Sequence, residues 1–387
     1  MRVGIVGAGQ LARMMAEEAS AMGVELVLLA DAASDGAVAS VHEVRYGAAM
    51  DDAALRSLSA EVDVMTFDHE LVNLETLHAL EDAGHKVFPS PAALLFAVDK
   101  AEMRRLCLTH GLPAPAFELF GATDPIDLDA LGARLGWPLV LKAARGGYDG
   151  RGVFVVADAA EASTVVADLQ GAGIAVVAEE RAQIVRELAA LVVRRPSGEM
   201  VAWPAMETAQ ITGVCREVLL PGALDAGLAA EAIAIARRVA EAIGLVGVMA
   251  VELFETPEGL VVNELALRPH NSGHWTQDGS VTSQFANHLR AVLDLPLGVT
   301  DLTAPAVASV NVFGGPEGAA PLLSGLPGAL GVRGAHVHLY GKETRPMRKL
   351  GHVNVTGDNV EEVRRLAWQA AAALGTPVPQ EIEEQIR

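Results

Sequence analysis

The sequence predicts an α/β and α+β protein built from three units: a Rossmann-like parallel-sheet unit over residues 1–98, a central mixed unit over 99–296 and a small β-rich unit over 297–387. Three observations predict it. A chain of 387 residues is more than one ordinary core accommodates, and it divides readily into two or three. From Arg2 to about Pro89, short apolar runs alternate with helical stretches, the pattern of a parallel sheet with crossover helices. Further on, the alternating Leu188 to Val193 followed by Pro196-Ser197-Gly198 is a hairpin signal, so the middle of the chain pairs antiparallel.

The first strand is Val3-Gly4-Ile5-Val6, followed by a Gly-rich turn, an amphipathic helix and a second strand from Glu25 to Ala30 that ends at Asp31. Val62 to Phe67 and Lys86 to Phe88 supply two more strands. Ser90-Pro91 opens one helix that runs through Lys100 and Arg104, because serine caps and proline suits the first turn. Gly111-Leu112-Pro113-Ala114-Pro115 stops it before a strand near Phe117. Strands follow at Leu139 to Ala143, Val153 to Val156, Ala175 to Glu179, Ala189 to Arg194, Val248 to Phe254 and Leu260 to Val262. After Pro296-Leu297-Gly298 come strands at Ala306 to Phe313, His336 to Tyr340 and His352 to Val355, then a helix from Val360 to Leu374.

Composition narrows the function. Hydrophobic residues make up 51% of the chain and aromatics only 4%, a balance typical of α/β enzymes rather than disordered chains. A formal charge of -20 repels nucleic acid and anionic membranes, although a local basic cluster can still hold a small phosphate ester. Apolar runs stay short of the roughly 18 residues a membrane span requires, which leads to the expectation of a cytoplasmic protein. Cys107 and Cys215 each stand alone, without metal-ligand spacing, and read as buried small hydrophobes.

Three segments carry chemistry. Gly7-Ala8-Gly9-Gln10-Leu11-Ala12 lies between strand and helix, with Asp31 about twenty residues on, so it fits a dinucleotide fingerprint and equally a plain βα turn. Lys142-Ala143-Ala144-Arg145-Gly146-Gly147-Tyr148-Asp149-Gly150-Arg151-Gly152 sends a lysine from a strand into a glycine-rich run that can close over a triphosphate. Its order is not that of a P-loop. Glu252 on one strand and Asn263-Glu264 at the end of the next, joined by Thr256-Pro257-Glu258-Gly259, place two carboxylates where they can share Mg²⁺ with nucleotide phosphates. The donor-rich loop Arg268 to Thr276 follows directly and reads as a substrate loop.

The Gly-rich stretch, the Asn263-Glu264 pair, the Arg268 to Thr276 loop, Tyr340-Gly341-Lys342 and Arg345-Pro346-Met347-Arg348-Lys349 together resemble the 5-(carboxyamino)imidazole ribonucleotide synthases of the ATP-grasp superfamily, from Gly7 to about Val355. The resemblance implies an ATP-grasp fold and a homodimer that carboxylates aminoimidazole ribonucleotide with bicarbonate, using ATP and Mg²⁺ and no nucleic-acid or membrane partner. It places Lys100 and Lys142 on ATP phosphates, with Gly147, Tyr148, Asp149, Gly150, Arg151, Gly152 and Val153 as the covering loop. Glu179, Glu180, Arg181, Ala182, Glu187 and Gln210 surround the nucleoside, Asn263 and Glu264 sit at the phosphates, and Glu252 with Glu264 binds the metal. Tyr148, Asp149, Arg268 and His270 fall at the reacting centre. Glu70, Arg151, His274, Lys342, Arg345, Arg348 and Lys349 hold the ribonucleotide. Two positions depart from the family pattern: Gln210 replaces an expected histidine, and Asp68-His69-Glu70 replaces a pair of glutamates.

For the amine proton Asp149, His270 and His274 all compete. The rival readings are a formate-using ATP-grasp ligase acting on a different ribonucleotide, such as the formate-dependent glycinamide ribonucleotide transformylase, an NAD-linked oxidoreductase resting on Gly7 to Ala12 with Asp31, and a nucleotide-binding regulator without catalysis.

Overall fold

The structure, a computed structural model, describes residues 1–146, 152–211, 213–316 and 321–386. Its first unit is a parallel sheet of β1 (Arg2–Val6), β2 (Glu25–Ala30), β3 (Glu43–Tyr46) and β4 (Val64–Phe67) in the order β3-β2-β1-β4. The helix Gln10–Met22 buries Leu11, Met14, Met15 and Ala19, spaced by three or four residues, against that sheet. Lys86 to Phe88 adds only a single bridge, Met65 to Val87. Pro89 ends the pairing because it has no N–H to extend the ladder.

The expected single helix from Pro91 onward is two, Pro91–Val98 and Lys100–Thr109. Asp99 divides them: its carboxylate accepts the Ala101 and Glu102 amides at 2.9 and 3.1 Å and so starts a new helix. The break places Lys100 on a first turn, where its own amide bonds the Ala144 carbonyl.

A small sheet follows, made of β5 (Phe117–Phe120), β6 (Leu139–Ala143), β7 (Val153–Val156) and β8 (Val176–Glu180), all antiparallel in the order β5-β8-β6-β7. Opposite it lies a larger antiparallel sheet. It begins with β9 (Arg186–Arg194), β10 (Met200–Ala202), β11 (Met206–Ile211) and β12 (Val214–Leu220). It continues with β13 (Gly247–Thr256), β14 (Gly259–Ala266), β15 (Ala306–Phe313), β16 (Ala335–Leu339) and β17 (Lys349–Gly357).

The hairpin at Pro196-Ser197-Gly198 joins β9 to β10 as its residues require. The order β14-β13-β9-β11-β12-β15-β17-β16 makes the C-terminal strands continuous with the central sheet, through Glu217 to Leu220 of β12 paired with Val307 to Val310 of β15. Residues 188–193 of β9 are buried without alternation because helix Ala226–Ala242 and helix Gln284–Val292 contact this strand.

Candidate active site

A cavity of about 1330 Å³ opens between the small sheet, the large sheet and the first unit. One end is lined by Lys100, Lys142, Glu179 to Ile184, Glu187 and Gln210, with Trp137, Val153 and Val155 as apolar walls. The other end is lined by Glu70, Arg268, His270, Asn271 and Lys349. Glu252, Asn263 and Glu264 lie along the wall they share.

At the first end β6 and β8 bring Lys142 and Glu179 together. Lys142 Nζ is 2.8 Å from Glu179 Oε2, and Arg104 Nε donates to Glu179 Oε1 at 2.6 Å. All three side chains are buried. Burial alone would raise the Glu179 carboxyl, but Arg104 and Lys142 outweigh it and hold it below the ordinary carboxylate range. Burial presses the Lys142 ammonium below its usual pKa while Glu179 opposes the shift. Arg104 compensates Glu179 from behind the wall, which leaves the ammonium groups of Lys142 and Lys100 to face the cavity, where they suit a polyphosphate. Glu179 therefore orients Lys142 through its carboxylate, and it lines the cavity beside Glu180 and Arg181. Glu180 accepts from the Ala116 amide, and Arg181 and Ala182 line the cavity beside it. Arg104 escaped sequence reading; its one signal is its place four residues after Lys100 on a capped helix.

The paired carboxylates owe their placement to a bulge. Glu252 and Glu264 are direct cross-strand partners, while the next pair is Leu253 with Val262, so Asn263 is the extra residue. Without it, alternation would send Asn263 and Glu264 to opposite faces; with it, both line the cavity. Asn263 Oδ1 lies 3.4 Å from Lys142 Nζ, its Nδ2 lies 3.5 Å from Glu252 Oε2, and Lys100 Nζ is 3.5 Å from Glu264 Oε1. Among the described residues, no group of three or more His, Cys, Asp or Glu gathers to hold a metal. A pair of hard carboxylates nonetheless fits Mg²⁺, which keeps waters and takes phosphate oxygens as its remaining ligands.

At the second end Glu70 accepts from Arg268 Nε at 2.8 Å and from the Leu267 amide at 3.2 Å, so the first unit fixes the start of the substrate loop. His270 Nδ1 takes the Ser272 amide at 3.3 Å and lies 2.9 Å from Ser272 Oγ. A ring nitrogen that accepts a backbone N–H carries no proton. The neutral ring thus bears its hydrogen on Nε2, which faces Glu252 Oε1 at 3.6 Å. Burial, with Arg268 and Lys349 adding, holds the ring's pKa down at about 3. His270 is therefore an N–H donor toward the cavity, which removes it as a base acting through Nε2.

His274 does not contact the cavity. It is fully buried among Phe285, Tyr340 and His352, and only its backbone and its bond to Gln284 tie it to the loop. Of the basic segment, Lys349 alone lines the cavity. Lys342 donates to Gln10 Oε1 at 2.9 Å, Arg345 pairs with Glu343, and Arg348 donates to the Glu343 carbonyl. Gly147, Tyr148, Asp149, Gly150 and Arg151 lie outside the described residues; Gly152 and Val153 are described, and Val153 lines the cavity.

The dinucleotide reading of Gly7 to Ala12 is overturned. Asp68 accepts from the Gly9 amide at 2.7 Å and the Ala12 amide at 2.9 Å, so a carboxylate already occupies the helix start where a pyrophosphate would bind. The departure of Asp68 from the usual glutamate thus has a local use.

Comparison with known proteins agrees with this geometry. Residues 1–98 match the ribonucleotide synthetase preATP-grasp domain, 105–285 the ATP-grasp domain, and 307–366 the phosphoribosylaminoimidazole carboxylase C-terminal domain. The N5-carboxyaminoimidazole ribonucleotide synthase of Mycobacterium tuberculosis is 46% identical over 373 residues, covering 95% of this chain and 86% of the relative. The synthetase of that name from Thermus thermophilus superposes with a TM-score of 0.86 at 34% identity, over 97% of this chain and 99% of that one. The Aspergillus clavatus synthase in complex with ADP and 5-aminoimidazole ribonucleotide gives 0.84 at 29% identity, over 97% and 98%. With its buried lysine and arginine wall, its bulged carboxylate pair and these matches along nearly its whole length, the chain belongs to the N5-carboxyaminoimidazole ribonucleotide synthase family of ATP-grasp ligases.

Proposed function

We propose that this protein carboxylates the amine of 5-aminoimidazole ribonucleotide with bicarbonate while converting ATP to ADP and phosphate, a step of purine biosynthesis. The observation that carries the reading is a single continuous cavity. Its cationic end suits a triphosphate, its Arg268, His270 and Lys349 end suits a ribonucleotide with bicarbonate, and the two acidic side chains lie between.

In this reading Lys100 and Lys142 neutralise the phosphates, and Gly147 to Val153 cover them. Glu180, Arg181, Ala182, Glu187 and Gln210 surround the nucleoside. Glu252 and Glu264 would hold Mg²⁺, which when bound screens charge on the transferring phosphoryl group. A bicarbonate oxygen attacks the γ-phosphorus and ADP leaves; the amine then takes the carboxyl carbon as phosphate departs. The Nε2–H of His270 and the guanidinium of Arg268 face the anions formed between these steps. Tyr148 and Asp149 complete the reacting centre, and Asp149 takes the amine proton. Glu70, Arg151 and Lys349 hold the ribonucleotide, with Lys342, Arg345 and Arg348 beside them and His274 buttressing the loop from beneath. The units divide at 1–98, 99–296 and 297–387. The reading also takes the protein as cytoplasmic and homodimeric, following the family resemblance; no helix among the described residues is long and apolar enough to cross a membrane.

Phosphate release decides the proposal. Turnover should require ATP, Mg²⁺, bicarbonate and 5-aminoimidazole ribonucleotide together, and Glu264→Gln should abolish it while the protein stays folded. Turnover that follows formate instead, or that proceeds without the ribonucleotide, would overturn it.

A further inference from the structure

The substrate loop from Arg268 to Thr276 is irregular, yet its centre is tied to a single buried side chain. Gln284 has no exposed surface and begins the helix Gln284–Val292. Its Oε1 accepts the His270 amide at 2.8 Å, and its Nε2 donates to the His270 carbonyl at 2.8 Å. One side-chain amide thereby pairs with both polar groups of one backbone residue, as a neighbouring strand would. The pairing fixes the amide's orientation, since the His270 N–H needs an acceptor and its C=O a donor. The same Nε2 lies 3.3 Å from His274 Nδ1, and the Gln284 backbone amide donates to Thr276 Oγ1 at 2.9 Å. Gly273 packs between this amide and the β9 core, where an added Cβ would stand 2.4 Å from Gln284 Oε1 and 2.3 Å from Leu191 Cδ2.

The helix that presents Gln284 is itself anchored at several points. Its cap Ser283 donates to Glu18 of the first unit at 2.5 Å. His288 lies 2.7 Å from Thr66 Oγ1 on β4 and accepts the Val248 amide of β13 at 3.1 Å. The loop is thus referenced to the first unit and to the strand that carries Glu252.

We infer that Gln284 is a positioning residue for the carboxylation step, holding His270 so that its Nε2–H faces the carboxyl-transfer end of the cavity. The inference rests on the reaction proposed above. It assigns Gln284 no contact with substrate: the residue acts through the His270 backbone, on a rigid element, where small misplacement costs rate.

Two substitutions at one position test it. Gln284→Met keeps the volume and removes both bonds; it should lower kcat/KM for the ribonucleotide by about 30-fold or more, within the range that such misplacement costs. The KM for ATP and calorimetric MgATP binding should stay within about two-fold of wild type, because Gln284 is tied to the substrate loop and not to the nucleotide wall. Gln284→Glu makes the same loss reversible within one protein. Protonated, it has the shape of glutamine and both hydrogen-bonding functions; ionised, it cannot donate to the His270 carbonyl. Its activity relative to wild type should therefore rise as pH falls, while that of Gln284→Met should not.

If Gln284→Met does not fold, Gln284→Glu carries the test by itself, and a relative activity that does not rise as pH falls overturns the inference. Ribonucleotide kcat/KM within about two-fold of wild type in these variants would overturn the inference, as would a comparable weakening of calorimetric MgATP binding. Failure of the proposed reaction would show separately, as wild-type protein with no ribonucleotide-dependent turnover.

Discussion

Glu179 shows how one side chain sets the chemistry of the nucleotide end. Its carboxylate compensates both Arg104, which is fully buried, and Lys142, which is nearly so, and removing its charge leaves two poorly solvated cations close together. Glu179→Gln should cost about 3–5 kcal/mol of stability, the range for breaking one partner of a buried pair, measured as a lower urea midpoint with unchanged slope. Glu187 behaves oppositely. Burial lifts its pKa from the ordinary 4.5 to about 7, and no cation among the described residues offsets the shift. A carboxyl whose folded pKa is raised favours the fold below its unfolded pKa and loses that advantage as pH climbs from 4.5 to about 7. Wild-type stability should therefore fall relative to Glu187→Gln across that window. Parallel urea titrations at stepped pH check it, and curves that stay parallel would show that Glu187 does not titrate there. Lys142 was legible in the sequence because a strand that delivers a lysine into a run of glycines sets a cation beside backbone free to wrap a phosphate. The ion pairs of Glu179 were not, because its two partners lie on a separate helix and a neighbouring strand.

At the scale of elements, register carries information that composition does not. Apolar runs located about half of the strands within a residue or two, β13 among them, whereas β14 continues four residues past Val262 and β3, β10, β11 and β12 were not anticipated. The Asn263 bulge was invisible, since nothing in a single strand announces an extra residue opposite its partner. The split at Asp99 was hidden by the apolar run before it, which reads as continuing into the next helix. The basic segment offers a testable case. Arg345-Pro346-Met347-Arg348 closes a turn through the Arg348 amide and the Arg345 carbonyl, with Met347 at φ 58, where glycine is usual. Gly314 clamps that turn by accepting from the Met347 amide and donating to the Arg348 carbonyl. A Cβ on Gly314 would stand 2.1 Å from the Arg345 carbonyl oxygen, a backbone atom that cannot swing aside. Gly314→Ala should therefore shift the turn and Lys349 after it. Steady-state kinetics should show the KM for the ribonucleotide raised by about tenfold with the KM for ATP unchanged, the split expected when only one substrate's contacts move.

For the whole molecule, the three matching family models invite the view that the chain is three separable pieces, and the packing argues against it. Phe285, Leu289 and Tyr340 lie in the same core as Leu11, Met14 and Leu28, so the first unit completes its interior with residues from the other two. The C-terminal strands extend the central sheet, and Glu217 of β12, buried, is held by Arg364 and by Trp368 Nε1 at 2.6 Å from the helix Val360–Ala373. Cutting the chain after residue 296 would strip β12 of its partner β15 and expose an apolar edge suited to pairing with other chains. It would also remove Arg364 and Trp368, which hold the Glu217 carboxylate, and uncover Leu219 on the face of β12 that packs into the C-terminal core. Such a truncated protein should elute as aggregate in size exclusion and bind no MgATP in calorimetry, although the nucleotide wall of Lys100, Lys142 and Glu179 is wholly present in its sequence. A monodisperse fragment that bound MgATP like the full chain would show that the central unit closes its own core, and that the shared sheet is an attachment rather than a requirement.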